Sequence, residues 1–289
     1  MKHLLGYLGL RAGVGLVGLL PGGVAKAMGR MFGRVWHRVD RGRARMARRH
    51  MARVLGGSTA DDSRRVMEFY GRYFAEALWA RDRRVRGMLD TTSVEGLELI
   101  EGARDAGKGM VFALPHMGNW EAAAPVAVDV GVPVVAVAEQ LPNQRITDWF
   151  TRLRAKFGID IVLATGRVEV MRKLEDSLKD NKAVALLSDR DLKGRGVNVE
   201  FFGEQTTLPP GPATLAVRME APLFPVACYF DDGGHRVVVR PPIPVPEGGS
   251  RSAQVQLMTQ ALATEMEALV RAAPHQWHLV VPNWPSDRD

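Results

Sequence analysis

The stretch that decides the fold class reads VFALPHMGNWEAAAPVAVDVGVPVVAVA and runs from residue 111 to residue 138. It opens on a short apolar run, residues 111–114, and closes on another, residues 134–138, and each run is typical of a buried strand. The segment between them, residues 119–130, has the length and composition of a helix. Two short buried strands joined by a helix form the repeating unit of a parallel sheet. We therefore expect an α/β fold.

Strand-like and helix-like segments continue to alternate to the end of the chain. The apolar runs that predict further strands lie at residues 159–163, 183–187, 223–230 and 237–239. The segments with helical spacing lie at residues 62–89, 143–157, 167–180 and 252–272. This alternation favours a single α/β domain in which helices flank a central, mainly parallel sheet. We assign this domain to residues 58–289 and expect residues 1–57 to form an N-terminal arm of amphipathic membrane helices.

The basic residues of this 289-residue chain are concentrated in that arm. The formal charge is +7, and residues 26–53 contain ten Lys or Arg against one Asp, so this segment carries +9 and the remainder −2. Positive charge concentrated in one segment indicates an anionic surface as the partner of the arm. We do not expect that surface to be nucleic acid, because aromatic residues are not interleaved with the arginines as stacking platforms.

The first part of the arm is apolar. Residues 4–20 read LLGYLGLRAGVGLVGLL, with Arg11 in the middle and five glycines. At 17 residues the run is at the short limit for a membrane span, and no signal-peptide cleavage site follows cleanly. A helix that lies on the membrane or is partly inserted fits this composition better than a span. The span stays open as the alternative.

Basic residues recur every four residues along the rest of the arm. One row comprises Lys26, Arg30, Arg34 and Arg38, and a second comprises Arg41, Arg45, Arg49 and Arg53. Another face carries an apolar stripe of Val24, Met28, Phe32, Val35 and Val39. We expect the apolar side to dock while the arginines contact lipid phosphates, at about 1 kcal/mol per basic residue near an anionic leaflet. The alternative is that the basic rows form the solvated face of a helix that packs against its own domain.

Motifs of several other enzyme classes are incomplete. Residues 102–108 match the start of a P-loop, but Gly109 stands where a Ser or Thr would ligate magnesium. No Gly-x-Ser-x-Gly nucleophile elbow occurs. The single Cys228 excludes an internal disulfide and a Cys-rich zinc site, and His275 and His278 lack a third ligand nearby in the sequence. We therefore expect no metal and no bound cofactor.

The strongest candidate for chemistry is the octapeptide LPHMGNWE at residues 114–121, directly after a predicted strand. A turn through Gly118 and a helix from Asn119 would bring Glu121 back to His116. Attack of an alcohol on a thioester needs a base for the hydroxyl proton, and histidine titrates in the required range. A carboxylate on the other ring nitrogen would fix the tautomer and stabilise the imidazolium. The structural alternative is a packed histidine and a glutamate favoured at a helix N-terminus.

The octapeptide also carries a resemblance to a known family. His-x-x-x-x-Glu with a Gly-Asn-Trp interior resembles the catalytic block of the lysophospholipid acyltransferase superfamily, and the similarity covers roughly residues 60 to 285. The further blocks that resemble the family are RAKFG at 154–158, SDRDL at 188–192, GVNVEFFG at 196–203, LPPGPATLA at 208–216, WHL at 277–279 and NW at 283–284. The resemblance implies that His116 is the catalytic base and that Glu121 orients it.

The resemblance implies further site residues outside the octapeptide. Arg154 is expected to bind a donor phosphate or to neutralise a carboxylate near His116. Glu200 precedes two phenylalanines that would line an acyl groove. Asp189, Arg190 and Asp191 are expected to bind substrate or to support the site. The alternative for all five charged residues is a salt bridge that holds the fold together.

Within the superfamily, the chain is similar to the late lipid A acyltransferases and to the phosphatidylinositol mannoside acyltransferases. The DRDL segment, the VEFFG form and an excess of arginine over lysine of 31 to 8 favour the mannoside branch, although Glu121 is the lipid A form. The resemblance thus implies transfer of a fatty acyl chain to a sugar hydroxyl of a membrane glycolipid, phosphatidylinositol mannoside in particular. The donor implied is acyl-CoA as co-substrate, with acyl carrier protein as the alternative.

Two other functions stay open at this point. One is a late lipid A acyltransferase that uses an acyl carrier protein donor, and the other is a non-catalytic lipid-binding membrane protein of the same fold. An intact contact between His116 and Glu121 beside an apolar groove would favour catalysis. Together with the arm, the resemblance implies a peripheral protein on the cytoplasmic face of the plasma (inner) membrane.

Overall fold

Short strands and longer helices follow one another along the chain in the computed structural model, which describes residues 2–80, 82–191 and 194–288. The helices are α1 (Lys2–Val17), α2 (Gly22–Val39), α3 (Arg41–Leu55), α4 (Ala60–Trp79), α5 (Asp82–Leu89), α6 (Leu97–Ala106), α7 (Ala124–Asp129), α8 (Gln144–Ala155), α9 (Arg167–Lys179), α10 (Gly211–Met219) and α11 (Arg251–Ala272). The strands are β1 (Thr92–Glu95), β2 (Met110–Leu114), β3 (Val134–Ala138), β4 (Ile159–Leu163), β5 (Ala183–Leu187), β6 (Val197–Phe201), β7 (Glu204–Leu208), β8 (Leu223–Phe230) and β9 (His235–Val239). Three short 3-10 helices lie at Trp120–Ala123, Pro274–Gln276 and Pro285–Arg288.

Seven of these strands form the central sheet, in the order β1-β9-β8-β2-β5-β3-β4. Every neighbouring pair in it is parallel except β8 and β9, which are antiparallel. β6 and β7 form a separate antiparallel hairpin. The α/β class and the mainly parallel sheet flanked by helices are therefore confirmed.

The sheet is covered on both faces, because alternate side chains of its central strands enter two different cores. From β2, Val111 and Ala113 point into the core that contains parts of α3, α4, α9, α10 and α11. Phe112 and Leu114 point into the opposite core, with parts of α5, α6, α7 and α8. Burial on both sides explains why the strand sequences are continuous apolar runs rather than alternating ones.

Two predicted helices differ in the structure. The helix expected over residues 62–89 is divided into α4 and α5, because the chain leaves helical geometry at Ala80, whose backbone is extended. The helix expected over 119–130 begins as the 3-10 turn Trp120–Ala123 and becomes α7 only at Ala124. This tighter turn displaces Glu121 from the position that a regular α-helix would give it.

The N-terminal helices pack on the domain through close backbone contact. Gly29 and Gly33 of α2 face Gly71 and Met67 of α4, and a Cβ at Gly33 would lie 2.1 Å from the Met67 carbonyl oxygen. In α3, His50 is fully buried and its Nδ1 bonds to the Leu279 carbonyl oxygen at 2.7 Å. The division of the chain at residue 57 stays a prediction, but α2 and α3 contribute side chains to the main core.

The faces of α2 differ from the expected arrangement. Its buried face is formed by Ala25, Gly29 and Gly33, and the basic row borders that face: Lys26 lies 3.7 Å from Glu76 and Arg34 lies 2.8 Å from Glu68, both on α4. The apolar stripe is the side left exposed: Val24, Met28, Met31, Phe32, Val35 and Val39. Arg34 is thus paired with a glutamate of α4 although about half of its side chain stays exposed, and contact of the α2 arginines with lipid phosphates stays a prediction.

The second basic row is divided between two roles. Arg53 pairs with Glu204 at 2.8 Å and with Asp287 at 2.9 Å, and Arg49 donates to the Ser286 carbonyl oxygen. Arg41 and Arg45 are exposed. Arg49 and Arg53 thus hold the C-terminal segment to α3, which corrects the expectation that all four face lipid. Among the described helices, none combines the length and the apolar character that crossing a membrane requires.

Candidate active site

The site is built where β2 and β5 end side by side. These two strands are parallel and in register, with Leu114 opposite Leu187. Two residues beyond that pair, His116 and Asp189 leave the carboxyl edge of the sheet next to each other. The His116 Nδ1 lies 2.6 Å from Asp189 Oδ1, and the backbone N–H of His116 donates to Asp189 Oδ2 at 3.0 Å.

Asp189 is fully buried, and both of its carboxylate oxygens accept hydrogen bonds. Besides the two bonds from His116, Asp189 Oδ2 accepts one from Trp277 Nε1 at 2.7 Å. The Asn283 amide donates to the Asp189 carbonyl oxygen at 3.0 Å. Burial on its own would raise the pKa of Asp189, but the charge of His116 and these hydrogen bonds outweigh it, so that the pKa is lowered. Asp189 is therefore a fixed negative charge behind the imidazole.

An ionised Asp189 on Nδ1 fixes the tautomer of His116. The carboxylate accepts a hydrogen bond from the Nδ1–H, which keeps this proton on Nδ1 and leaves the Nε2 lone pair free to take a proton from a substrate. The His116 side chain keeps 27% of its surface exposed while Asp189 keeps none, so the imidazole is the accessible member of the pair. The edge of its ring meets Trp120 at a centroid distance of 5.6 Å.

Glu121 does not have the partner that the octapeptide suggests. Its Oε1 accepts from Arg154 Nε at 2.9 Å, and its Oε2 has no hydrogen-bond partner among the described residues. Burial raises the pKa of Glu121, and the charge of Arg154 opposes that rise. The expectation that Glu121 holds the His116 ring is therefore wrong in this structure, because the 3-10 turn directs Glu121 towards α8 and Asp189 occupies Nδ1. Of the two roles expected for Arg154, the structure shows the second: its guanidinium pairs with the carboxylate of Glu121.

An apolar cavity of about 800 Å³, part of it open to solvent, has Trp120, Glu121 and Arg154 in its wall. It crosses the sheet between the strands and helices α6, α7 and α8. Each strand on its path contributes a side chain to the wall: Ile161, Ala136, Ala185, Phe112, Val226 and Val237, in the order β4-β3-β5-β2-β8-β9. Since neighbouring strands stand about 4.8 Å apart, these wall residues extend across about 24 Å of the sheet. The lining has the apolar chemistry that a hydrocarbon chain requires.

His278 is a neighbour of the site that the sequence did not reveal. Its backbone N–H donates to the His116 carbonyl oxygen at 2.7 Å, and its buried ring stacks on Tyr70 at 5.0 Å. Burial, followed by the charge of His116, lowers the pKa of His278 to about 3, so the ring is neutral. The signal available in the sequence was the WHL block, in which Trp277 also reaches Asp189.

The remaining predicted residues are arranged around or away from this cluster. Arg190 follows Asp189 and is partly buried. Asp191 Oδ2 accepts from the Gly196 N–H at 2.6 Å and from the Thr207 hydroxyl at 2.8 Å, so it holds the β6–β7 hairpin. Leu192, the last residue of the DRDL segment, lies outside the described residues.

Glu200 lies on the exposed face of β6 and is attached to α11 through backbone bonds with Gln260. The two phenylalanines after it are buried in the core against Trp277 and Trp284. The expectation that they line an acyl groove is wrong, since the cavity lies on the opposite face of the sheet. Glu139, exposed directly after β3, is another charged residue at the carboxyl edge of the sheet.

The arrangement can supply general-base chemistry and space for an apolar chain. An exposed imidazole with an ionised aspartate behind it can accept a hydroxyl proton, and no covalent intermediate is required if donor and acceptor bind together. Within the described parts of the chain, no group of three or more His, Cys, Asp or Glu side chains is placed to hold a metal ion.

Comparison with known proteins agrees with this chemistry. Residues 2–286 match the family described as bacterial lipid A biosynthesis acyltransferase. A phosphatidylinositol mannoside acyltransferase of Mycolicibacterium smegmatis is 36% identical, with 97% of this chain and 91% of the relative covered. One of Mycobacterium tuberculosis is 35% identical over 83% of this chain and 77% of the relative. A lipid A biosynthesis acyltransferase of Haemophilus influenzae is 24% identical over 63% of this chain and 55% of the relative.

Proposed function

The chain belongs to the bacterial lipid A biosynthesis acyltransferase family, and from that premise we propose that it transfers a fatty acyl chain from acyl-CoA to a sugar hydroxyl of phosphatidylinositol mannoside. The observation that carries the chemistry is the His116–Asp189 contact beside an apolar cavity. The two mycobacterial relatives, which match most of this chain, support the mannoside acceptor over lipid A.

The proposed mechanism uses one base and no covalent enzyme intermediate. His116 Nε2 takes the proton from the acceptor hydroxyl as its oxygen attacks the thioester carbonyl. Asp189 stabilises the imidazolium that forms, and His116 then returns the proton as the C–S bond breaks and the thiol leaves. The ester product and a free thiol account for all atoms of the donor and the acceptor.

The cavity supports a long acyl chain as the transferred group. A hydrocarbon chain extends by about 1.25 Å per bond at ordinary carbon geometry, so a lining that extends across about 24 Å of the sheet is on the order of the length of a fatty acyl chain. The walls are almost entirely aliphatic, and Arg154 and Glu121 are the charged residues among them. Trp120 also lies in the wall and its ring centroid is 5.6 Å from that of His116, so the thioester end of the donor would lie at this part of the cavity, next to His116.

The proposed location is the cytoplasmic side of a membrane, and the exposed stripe of α2 supports the attachment itself. Six large apolar residues face solvent over four turns, and Val39 keeps 77% of its surface exposed. Burying such side chains in a lipid interface is favourable by about 25 cal/mol per Å² of apolar surface. The exposed Arg41 and Arg45 add attraction to an anionic leaflet. Both substrates are amphiphiles, so attachment would bring the site to them.

One assay tests the reaction, the donor and the acceptor together. Purified protein is incubated with acyl-CoA or with acyl carrier protein thioester, each offered phosphatidylinositol mannoside or a lipid A precursor, and products are read by mass. We expect one added acyl group on the mannoside with acyl-CoA, and a loss of about 10²–10⁴ in rate for His116→Ala. If product forms only with the lipid A precursor, the protein is a lipid A acyltransferase, the alternative function. Lipid binding without product in any combination would favour a non-catalytic protein.

A flotation experiment tests the membrane proposal. Phe32→Ser together with Val35→Ser should release protein from anionic vesicles, while activity on detergent-dispersed substrate is kept, because both side chains are exposed. Arg41→Gln with Arg45→Gln should weaken binding only at low salt, since salt screens exposed charges over about 10 Å at 0.1 M. Unchanged flotation of the serine variant would exclude α2 as the attachment surface.

A further inference from the structure

A second group of buried charged residues lies outside the catalytic cluster and is centred on Glu76 of α4. Only 1% of the Glu76 side chain is exposed. Its Oε1 accepts from Arg72 Nε at 2.9 Å and lies 3.7 Å from the Lys26 ammonium. Its Oε2 accepts from His235 Nε2 at 2.8 Å and from Asn119 Nδ2 at 3.0 Å. One carboxylate therefore connects α2, α4, β9 and the loop that follows β2.

Glu76 stays ionised in this environment. Burial on its own would raise its pKa, but the hydrogen bond and charge of His235 and the charge of Arg72 lower it to about 2. A buried carboxylate with several donors is a strong acceptor, since hydrogen bonds to charged groups are about twice as strong as neutral ones. Its bond to Asn119 is therefore a firm attachment.

Asn119 is the residue through which this attachment reaches the site. It is fully buried and stands between His116 and Glu121, at the point where the loop enters the 3-10 turn. Its backbone N–H donates to the Cys228 carbonyl oxygen at 3.2 Å, and the preceding Gly118 N–H donates to Gln276 at 2.9 Å. In the described structure, its side-chain amide is bonded to Glu76, and its Oδ1 has no partner.

We propose that Glu76 is a positioning residue that holds Asn119 and thereby fixes the turn between His116 and Glu121. The carboxylate touches neither the imidazole nor the apolar cavity, so it acts through the loop alone. This inference rests on the proposed function wherever it is measured by turnover. Its structural part, the order of the loop, is measurable without any substrate.

Glu68 provides a matched control on the same helix. It lies two turns before Glu76, is also buried, and also pairs with a basic residue of α2, in this case Arg34, as well as with Arg64. It has no contact with the loop among its described bonds. Glu76→Gln and Glu68→Gln therefore remove equivalent charges from the same α2–α4 interface, but only the first affects Asn119.

We expect Glu76→Gln to lower kcat by about 10²-fold with KM little changed, because a displacement of about 1 Å in a catalytic group costs on that order. Glu68→Gln should keep kcat. Asn119→Ala should reproduce the loss, and the double variant should be no slower than either single variant, since both break one connection. Equal kcat in the two glutamine variants, or additive losses in the double variant, would overturn the proposal. If Glu76→Gln does not fold, Asn119→Ala with wild-type kcat overturns it instead.

Amide hydrogen exchange separates this inference from the assignment of function. With no substrate present, the Gly118 and Asn119 amides should exchange faster in Glu76→Gln than in wild type. In Glu68→Gln they should exchange at the wild-type rate. Unchanged protection of these two amides in Glu76→Gln would overturn the positioning role even if transfer is observed. Faster exchange together with an inactive wild-type protein would retain the positioning role and reject the proposed reaction.

Discussion

Two buried carboxylates of the candidate site, Asp189 and Glu121, have different surroundings. Asp189 accepts three hydrogen bonds through its side chain, two from His116 and one from Trp277. Glu121 accepts one, from Arg154, and its second oxygen has no partner in the described structure. The pKa of Asp189 is lowered and that of Glu121 is raised. Burial is nearly complete for both, so the number and charge of the donors decide the direction.

The difference assigns distinct tasks to the two residues. A fully bonded, ionised Asp189 is suited to hold the imidazole in one tautomer through every cycle. Glu121 lies in the cavity wall and is bonded to Arg154, so it is placed to meet a substrate group or to hold Arg154 in place. Three predictions test this division, from the largest expected effect to the smallest.

Asp189→Asn should have the largest effect. The amide keeps the shape of the side chain but removes the charge behind His116 and permits the wrong tautomer, which costs about 10⁴ in turnover in a comparable His–Asp pair. Steady-state transfer by the purified variant measures this, with circular dichroism as the control for folding. A loss of less than about tenfold would remove Asp189 as the partner of the base.

Glu121→Gln should be slower than wild type but faster than Asp189→Asn. The glutamine oxygen can still accept from Arg154, and His116 keeps its own carboxylate, so we expect a loss of about 10- to 100-fold from weaker placement of the donor. Glu121→Asp should keep part of the activity. If Glu121→Gln loses as much as Asp189→Asn, the division of tasks fails, and Glu121 takes part in the proton transfer after all.

The smallest effect is on stability, and its sign differs between the two carboxylates. Since the pKa of Asp189 lies below its usual 3.8, its contribution is present above that pH and is lost as pH falls through the folded value. Since the pKa of Glu121 lies above 4.5, its contribution is present below that pH and is lost as pH rises through the folded value. Urea unfolding of wild type, Asp189→Asn and Glu121→Gln from pH 3 to 8 gives the free energy of unfolding of each protein. The difference between wild type and variant, plotted against pH, should have opposite slopes for the two variants. Slopes of the same sign would mean that one of the two environments is wrongly described.

The sheet could be predicted because its strands are buried on both faces. β3, β4, β5 and β8 have the bounds that their apolar runs indicate. The β6–β7 hairpin was not predicted, since its alternating pattern in GVNVEFFG was interpreted through the family resemblance alone. The break at Ala80 was missed because the apolar spacing of residues 62–89 continues across it.

The site was only half predictable for a physical reason. His116 and Glu121 are close in the sequence, and a local turn offered a contact between them. Asp189 is 73 residues from His116, and its contact depends on β2 and β5 being neighbours in register. The position of Ser188 and Asp189 directly after a predicted strand was the available signal. Strand order was not, because apolar runs do not specify their neighbours.

For the N-terminal helix α2, the sequence predicted the helix but not its orientation on the domain. Periodicity located the helix and both of its faces, yet it did not determine which face turns inward. That choice depends on Glu68 and Glu76 of α4 and on the small residues Gly29, Gly33 and Gly71, which let the two backbones meet. Partners distant in sequence decided the orientation here as well.

Gly118 has a consequence for how much the octapeptide tolerates mutation. Its backbone is left-handed, with φ of 55°, and a Cβ there would lie 1.7 Å from the Cys228 carbonyl oxygen. Even alanine would separate the loop from β8, while Asn119 beside it is held by Glu76. Of the four positions between His116 and Glu121, Gly118 is therefore closed to substitution by the scaffold. A random-substitution library of this loop should lose function at Gly118 as completely as at His116, although glycine contributes no chemistry.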